Sequence, residues 1–161
     1  MIVRRRELVA AGAALALARP AAAAAQPSDV EQLERLLALE HRLEAAYETA
    51  LARDAIEPRL GETLLAHERE HIRGLTQALA ARGRRAPRAT APPPQLGSAL
   101  ASRAAFARYA TGLEAETVAA YQDVLATFRD ERLLQPLGSI MTATAQHEVA
   151  LRDAVGRDLL R

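Results

Sequence analysis

The run Leu39-Glu40, four residues, then Ala45-Ala46-Tyr47 occurs twice in this chain, the second time as Leu113-Glu114, four residues, Ala119-Ala120-Tyr121. In both copies the glutamate falls where an amphipathic helix should present apolar side chains. A histidine follows on the next helical segment each time, His71 coming 31 residues after Glu40 and His147 coming 33 residues after Glu114. The chain therefore reads as two copies of one helix pair. Packed about a pseudo-two-fold axis, two such pairs make an all-α four-helix bundle in which four interrupted apolar stripes meet at one level of the core.

Local signals mark out the four helices. Pro27-Ser28-Asp29 opens the first, with Ser28 or Asp29 as cap. It is expected over residues 29–53, with the stripe Leu33, Leu36, Leu37, Leu43, Tyr47, Ala50 and Leu51, and Glu40 inside that stripe. Pro58 and Gly61 mark a short break before a second helix over 59–82, ending at Gly83. Here Leu64, Glu68, His71 and Leu75 share one face. Residues 83–98 hold four prolines and two glycines and form a linker, long enough to cross back along the outside of the bundle between helices two and three. Arg82, Arg84, Arg85 and Arg88 at its start read as a solvated cluster at a helix C-terminus. Ser98 is the predicted cap of a third helix over 99–128, with the stripe Phe106, Ala110, Thr117, Val118, Tyr121, Leu125 and Phe128 and with Glu114 inside it. Asp130 can cap a fourth helix, and Pro136 makes its first turns irregular. The regular part is expected over 137–158, where Leu137, Ile140, Leu151, Ala154 and Val155 form the stripe and Thr144 and His147 interrupt it.

Composition agrees with helices. Half the residues are hydrophobic but only five are aromatic, and alanine and leucine, both good helix formers, dominate. There is no cysteine, which excludes disulfides, thiolate catalysis and zinc–thiolate or iron–sulfur sites. A metal could be held here only by His, Asp and Glu.

Residues 1–25 read as a separate unit. Arg4-Arg5-Arg6 precedes an apolar run from Leu8 to Ala18, and Pro20 and an alanine tract follow. A basic start, a short apolar middle and an Ala-x-Ala end are the parts of an export signal, with cleavage expected after Ala25. Arg5-Arg6-x-Leu8-Val9 resembles a twin-arginine signal. The apolar run is shorter than the ~20 residues of a membrane span. The expected location is outside the cytoplasm, in the periplasm, the cell envelope or the extracellular medium. Residues 26–161 hold 17 arginines against 19 acidic residues, a net charge near −2 that argues against nucleic acid as a partner.

One ionisable group on an apolar face is usually a satisfied core residue. Four helices that each place polar groups mid-stripe need another reason, because a buried carboxylate without partners costs several kcal/mol. A divalent cation compensates such a cluster. At this point the chain resembles the ferritin-like superfamily, over essentially all of residues 29–158, and in particular its exported bacterial members. The resemblance implies a metal-ligand pattern of Glu, Glu-x-x-His, Glu and Glu-x-x-His on successive helices. Glu40, Glu68 with His71, Glu114, and His147 fill five of the six positions. Thr144 stands three residues before His147, where the pattern has a glutamate that bridges two metals. Threonine supplies no anionic bridge, so the resemblance leaves one ion or two open, with Glu44 a candidate substitute. Oxygen and imidazole donors suit iron or manganese and are compatible with zinc. Tyr47 and Tyr121 are read as hydrogen-bond donors to the site, as redox-active groups or as aromatic core anchors. His41, His67 and Glu70 point off the stripes and are expected at the surface, with Glu70 pairing Arg73.

Two functions remain in view. One is a metal-binding oxidase or oxidoreductase, in which iron or manganese reacts with oxygen or peroxide. The other is a degenerate, non-catalytic bundle with a structural or stress-related role, for which Thr144 speaks.

Overall fold

The computed structural model describes residues 27–89 and 95–158, and residues 1–25, read as an export signal, lie outside that range. Among the described residues every regular element is helical: α1 (Asp29–Ala52), α2 (Pro58–Ala80), a single turn α3 (Leu96–Ala99), α4 (Arg103–Leu125) and α5 (Leu134–Asp158), the last preceded by a 3-10 turn at Glu131–Leu133. No helix among them is long and apolar enough to cross a membrane.

The helix ends follow local chemistry. Ser28 and Glu31 form a capping box on α1, the Ser28 backbone N–H donating to Glu31 Oε2 at 2.7 Å. At α2, Pro58 occupies the first turn, where a missing N–H costs nothing, and the Glu57 carboxylate accepts from the Arg59 and Leu60 backbones. Gly83, at φ 68°, ends α2 in a left-handed residue that lets the Arg84 N–H reach back to the Leu79 carbonyl.

Two expected boundaries move. The third long helix starts at Arg103, not 99, because Ser102 rather than Ser98 is its cap: Ser102 is extended and its hydroxyl accepts from Ala105 N, whereas Ser98 donates to the Gln95 carbonyl inside the separate turn α3. α5 starts at Leu134 and runs through Pro136, which is tolerated because the first turn of a helix has no internal acceptor for its N–H groups. Asp130 caps the 3-10 turn.

α1 packs on α2 and on α4, and α4 packs on α5. Polar pairs give the directions. Arg42 meets Glu116, Arg35 meets Asp123 and Gln32 meets Thr127, so α1 and α4 are antiparallel. Glu48 meets Arg69 and Glu34 meets Arg84, so α1 and α2 are antiparallel too. Gly61 stands where α2 passes Leu51 and Ile56, and a Cβ there would lie 2.7 Å from each.

The core is divided. One apolar cluster holds Leu43, Tyr47, Leu64, Phe106, Leu113 and Leu151. The other holds Leu33, Leu36, Leu75, Leu79, Tyr121, Val124 and Leu137. Val118 and Leu125, expected on the buried stripe of α4, are only half-buried, and Val124 is buried in their place. Glu40, Glu68, His71, Glu114, Thr144 and His147 are buried polar residues, and in chain order they fall between the residues of the two clusters. Each fully buried Leu or Phe contributes about 1.5–3 kcal/mol, so the apolar clusters on both sides hold the polar residues in place.

Candidate metal centre

Each long helix delivers its polar residue to one buried layer. α1 brings Glu40, α4 brings Glu114, and α5 brings His147. α2 brings two groups from adjacent turns, Glu68 and His71, because residues three apart share a helix face. The donor atoms fall into two sets, Glu40 with Glu68 and His71, and Glu68 with Glu114 and His147, and within each set they lie within 4.8 Å of one another. Glu68 belongs to both. Its Oε2 is 3.5 Å from His71 Nδ1, and its Oε1 is 3.1 Å from His147 Nδ1. His71 Nδ1 lies 3.2 Å from Glu40 Oε2, and His147 Nδ1 lies 3.5 Å from Glu114 Oε1.

Two tyrosines brace the glutamates crosswise. Tyr121 on α4 donates its hydroxyl to Glu40 Oε1 at 2.6 Å, and Tyr47 on α1 donates to Glu114 Oε1. Burial pushes both phenols well above their ordinary range, so they remain O–H donors. Thr144 is fully buried, but its hydroxyl donates back to the Ile140 carbonyl one turn earlier and not into the layer.

The charges in this layer depend on one another. Burial pushes the Glu40 and Glu114 carboxyls up, against the pull of His71 and His147 respectively. For Glu68 burial acts in the same sense, but the imidazoles of His147 and His71 at its two oxygens outweigh it and hold the carboxyl low. Burial works to lower both histidines, yet the carboxylates win: Glu40 and Glu68 raise His71 to about 10, and Glu114 and Glu68 raise His147 to about 9. Without a cation the layer thus sets two imidazolium rings about the Glu68 carboxylate, while Glu40 and Glu114 hold their protons more tightly than ordinary carboxyls. The layer is incompletely bonded. Both oxygens of Glu68, Oε2 of Glu114 and Nδ1 of His147 are buried without a hydrogen-bond partner. Unsatisfied buried groups cost about 1–3 kcal/mol each. A divalent ion could supply what these atoms lack, since it would replace the imidazole protons and accept the free lone pairs. Spacings of 3.1–3.5 Å between donors are also those of adjacent ligands around an ion with bonds of about 2.0–2.2 Å.

All five residues expected from the sequence are therefore in the layer. Glu44 is not: it is bound to His41 Nδ1 at 3.2 Å and to Arg69 at the edge of the bundle. Glu70 pairs with Arg73 at 3.2 Å, as expected. Of the readings the sequence allowed for Tyr47 and Tyr121, two hold together: both rings are buried in the apolar clusters, and both hydroxyls donate to a glutamate of the layer. His67 lies at the surface, as expected, but its contact with the layer was not foreseen. Although exposed, its Nδ1 lies 2.9 Å from Nε2 of His147, and the two rings are 15° from parallel. The available signal was His67's place one turn before His71 on the flank of the same face, but nothing in the order of residues says which helix that flank meets.

Against known proteins, the profile of a family described as a ferritin-like domain matches residues 28–157. Among solved structures, the crystal structure of a conserved hypothetical protein from Mycobacterium tuberculosis is similar at 24% identity and a TM-score of 0.70, covering 78% of this chain and 96% of that one. That likeness concerns the fold. No curated protein matches the chain.

Proposed function

We propose that this chain, which belongs to the ferritin-like domain family, binds one or two divalent metal ions in the core of its bundle, where Glu40, Glu68, His71, Glu114 and His147 would hold them. The observation that carries this reading is Glu68 itself: a fully buried carboxylate with both oxygens free of hydrogen bonds, each facing a histidine nitrogen. Three carboxylates and two imidazoles suit iron or manganese. Bound there, such a metal would supply electron exchange with oxygen or peroxide, the basis of an oxidase or oxidoreductase reading. The chain's own residues would do the rest. Glu40, Glu68 and Glu114 offer anionic oxygens, His71 and His147 give up protons to bind, Tyr47 and Tyr121 orient Glu114 and Glu40, and the flanking apolar clusters exclude water. The recurrent Leu-Glu and Ala-Ala-Tyr runs support reading the bundle as a repeated helix pair whose second copy is reached by a crossover through the proline-rich linker.

A second reading, a non-catalytic bundle with a structural or stress-related role, is favoured by Thr144, whose hydroxyl is turned back on its own helix. Metal content separates the two. Protein purified from its native export route should carry metal near or above one equivalent, and a Glu68→Ala, His71→Ala double variant should carry none. A wild-type protein that stays metal-free and gains no stability on challenge with Fe(II) or Mn(II) would sink the first reading. The sequence of residues 1–25 supports an exported location, and N-terminal sequencing of the secreted protein should then begin at Gln26.

A further inference from the structure

His67 is a surface residue with a contact that a surface residue does not need. It is exposed on α2, and its Nδ1 lies 2.9 Å from Nε2 of His147, a buried residue of α5. The ring centroids are 5.2 Å apart. The other nitrogen of His147, Nδ1, faces Glu68 Oε1 and Glu114 Oε1.

These contacts dictate which atom does what. A metal held by Glu68, Glu114 and His147 takes the lone pair of Nδ1. A neutral imidazole then carries its one proton on Nε2. That N–H points at His67 Nδ1, which must accept, leaving the proton of the His67 ring on its other nitrogen, Nε2. Ligating histidines are commonly oriented in this way by a partner on their second nitrogen. The other half has no such arrangement. Among the described residues nothing bonds the second nitrogen of His71, and the position one turn before His147, matching His67 before His71, is Ala143.

Resting on the reading of the layer as a metal site, we propose that His67 is the positioning residue of the Glu68, Glu114 and His147 half: it accepts the Nε2 proton of His147, holds that ring with Nδ1 turned inward, and so sets the metal affinity of this half without touching the metal. The half that needs this support is the one in which Thr144 withholds a carboxylate. α2 thus serves the α5 ligand twice, through Glu68 on one ring nitrogen and through His67 on the other.

Co(II) titration of the metal-free full-length protein, followed by visible absorption and calorimetry, tests this. His71→Ala and His147→Ala assign the binding phases to the two halves. His67→Phe keeps a flat ring but removes the acceptor, and His67→Gln restores one through its amide oxygen. His67→Phe is expected to weaken the His147 phase about 10- to 100-fold. It should leave the His71 phase within about two-fold and the melting temperature of the metal-free protein unchanged, while His67→Gln recovers most of the loss. Unchanged binding in His67→Phe, equal weakening of both phases, a single ion indifferent to His147→Ala, or no rescue by His67→Gln would each overturn the proposal. A wild-type protein that binds no Co(II) would overturn the metal reading as well, which distinguishes that failure from the others.

Discussion

The α1–α2 pair and the α4–α5 pair approach the same buried layer with unequal means. α1–α2 brings two carboxylates and an imidazole, Glu40, Glu68 and His71, and these already form a complete triad. α4–α5 brings one carboxylate and one imidazole, and its third polar residue, Thr144, bonds its own backbone. Its triad is completed only by Glu68 from α2, and its histidine leans on His67 from the same helix. The tyrosines cross over as well, each bonding the glutamate of the opposite pair. One pair is self-sufficient in candidate ligands and the other depends on it. A site assembled in this way is sensitive to changes in α2 out of proportion to α2's share of the chain.

That contrast can be broken most severely at Glu68. Glu68→Ala should abolish metal binding in both halves, and by leaving two raised histidines beside too few carboxylates it should cost about 3–5 kcal/mol of metal-free stability. Urea unfolding with and without metal measures both. Thr144→Glu should make the two pairs alike. A further buried carboxylate ought to lower metal-free stability by about 2 kcal/mol or more. It should also tighten the His147 half relative to the His71 half, read from the two phases of a metal titration. Tyr47→Phe and Tyr121→Phe test whether the crossed braces are equivalent. Each removes a hydroxyl from a buried carboxyl at an expected cost of about 1–3 kcal/mol, and similar losses for the two would show equal support on both sides.

Near neutrality the smallest effect comes from pH. His71 and His147 titrate at about 10 and about 9 in the fold against 6.5 for an ordinary histidine. A raised histidine stabilises the fold fully below the unfolded value and loses that contribution as pH rises through the folded one. Glu40 is raised as well, from 4.5 to about 8, and a raised carboxyl loses its contribution in the same sense, so the melting temperature of the metal-free protein should decline from about pH 4.5 upward and go on declining through the two histidines. In His147→Gln the decline should extend to about pH 10, and in His71→Gln it should end near pH 9. Metal affinity should rise across the same range, since the ion competes with those protons.

Much of this was legible from residue order. Glu40 and Glu114 interrupt apolar stripes, and a carboxylate in such a position announces a partner. Glu68 and His71 share a face by helical spacing alone, and His147 follows from the same periodicity. Where the third long helix begins was not legible, because Ser98 and Ser102 are equally good caps and the choice rests on which serine is extended where the turn α3 ends. The buried face of α4 was also rotated slightly, with Val124 inside and Val118 half out, since the neighbours α1 and α5 and not the helix itself decide how it turns.

By itself the sequence determined that this chain makes four long helices and that each carries a polar residue in its apolar stripe, because helical periodicity is a property of neighbouring residues. Only the tertiary structure decided how those residues are shared. That Glu68 serves both histidines, that Tyr47 and Tyr121 brace each other's pair, and that an exposed His67 holds a buried His147 all depend on which helix lies against which and in what direction. Those relations join residues 67 to 81 positions apart in the chain, or residues on helices packed side by side, and they exist only once the apolar clusters above and below have brought the four helices together.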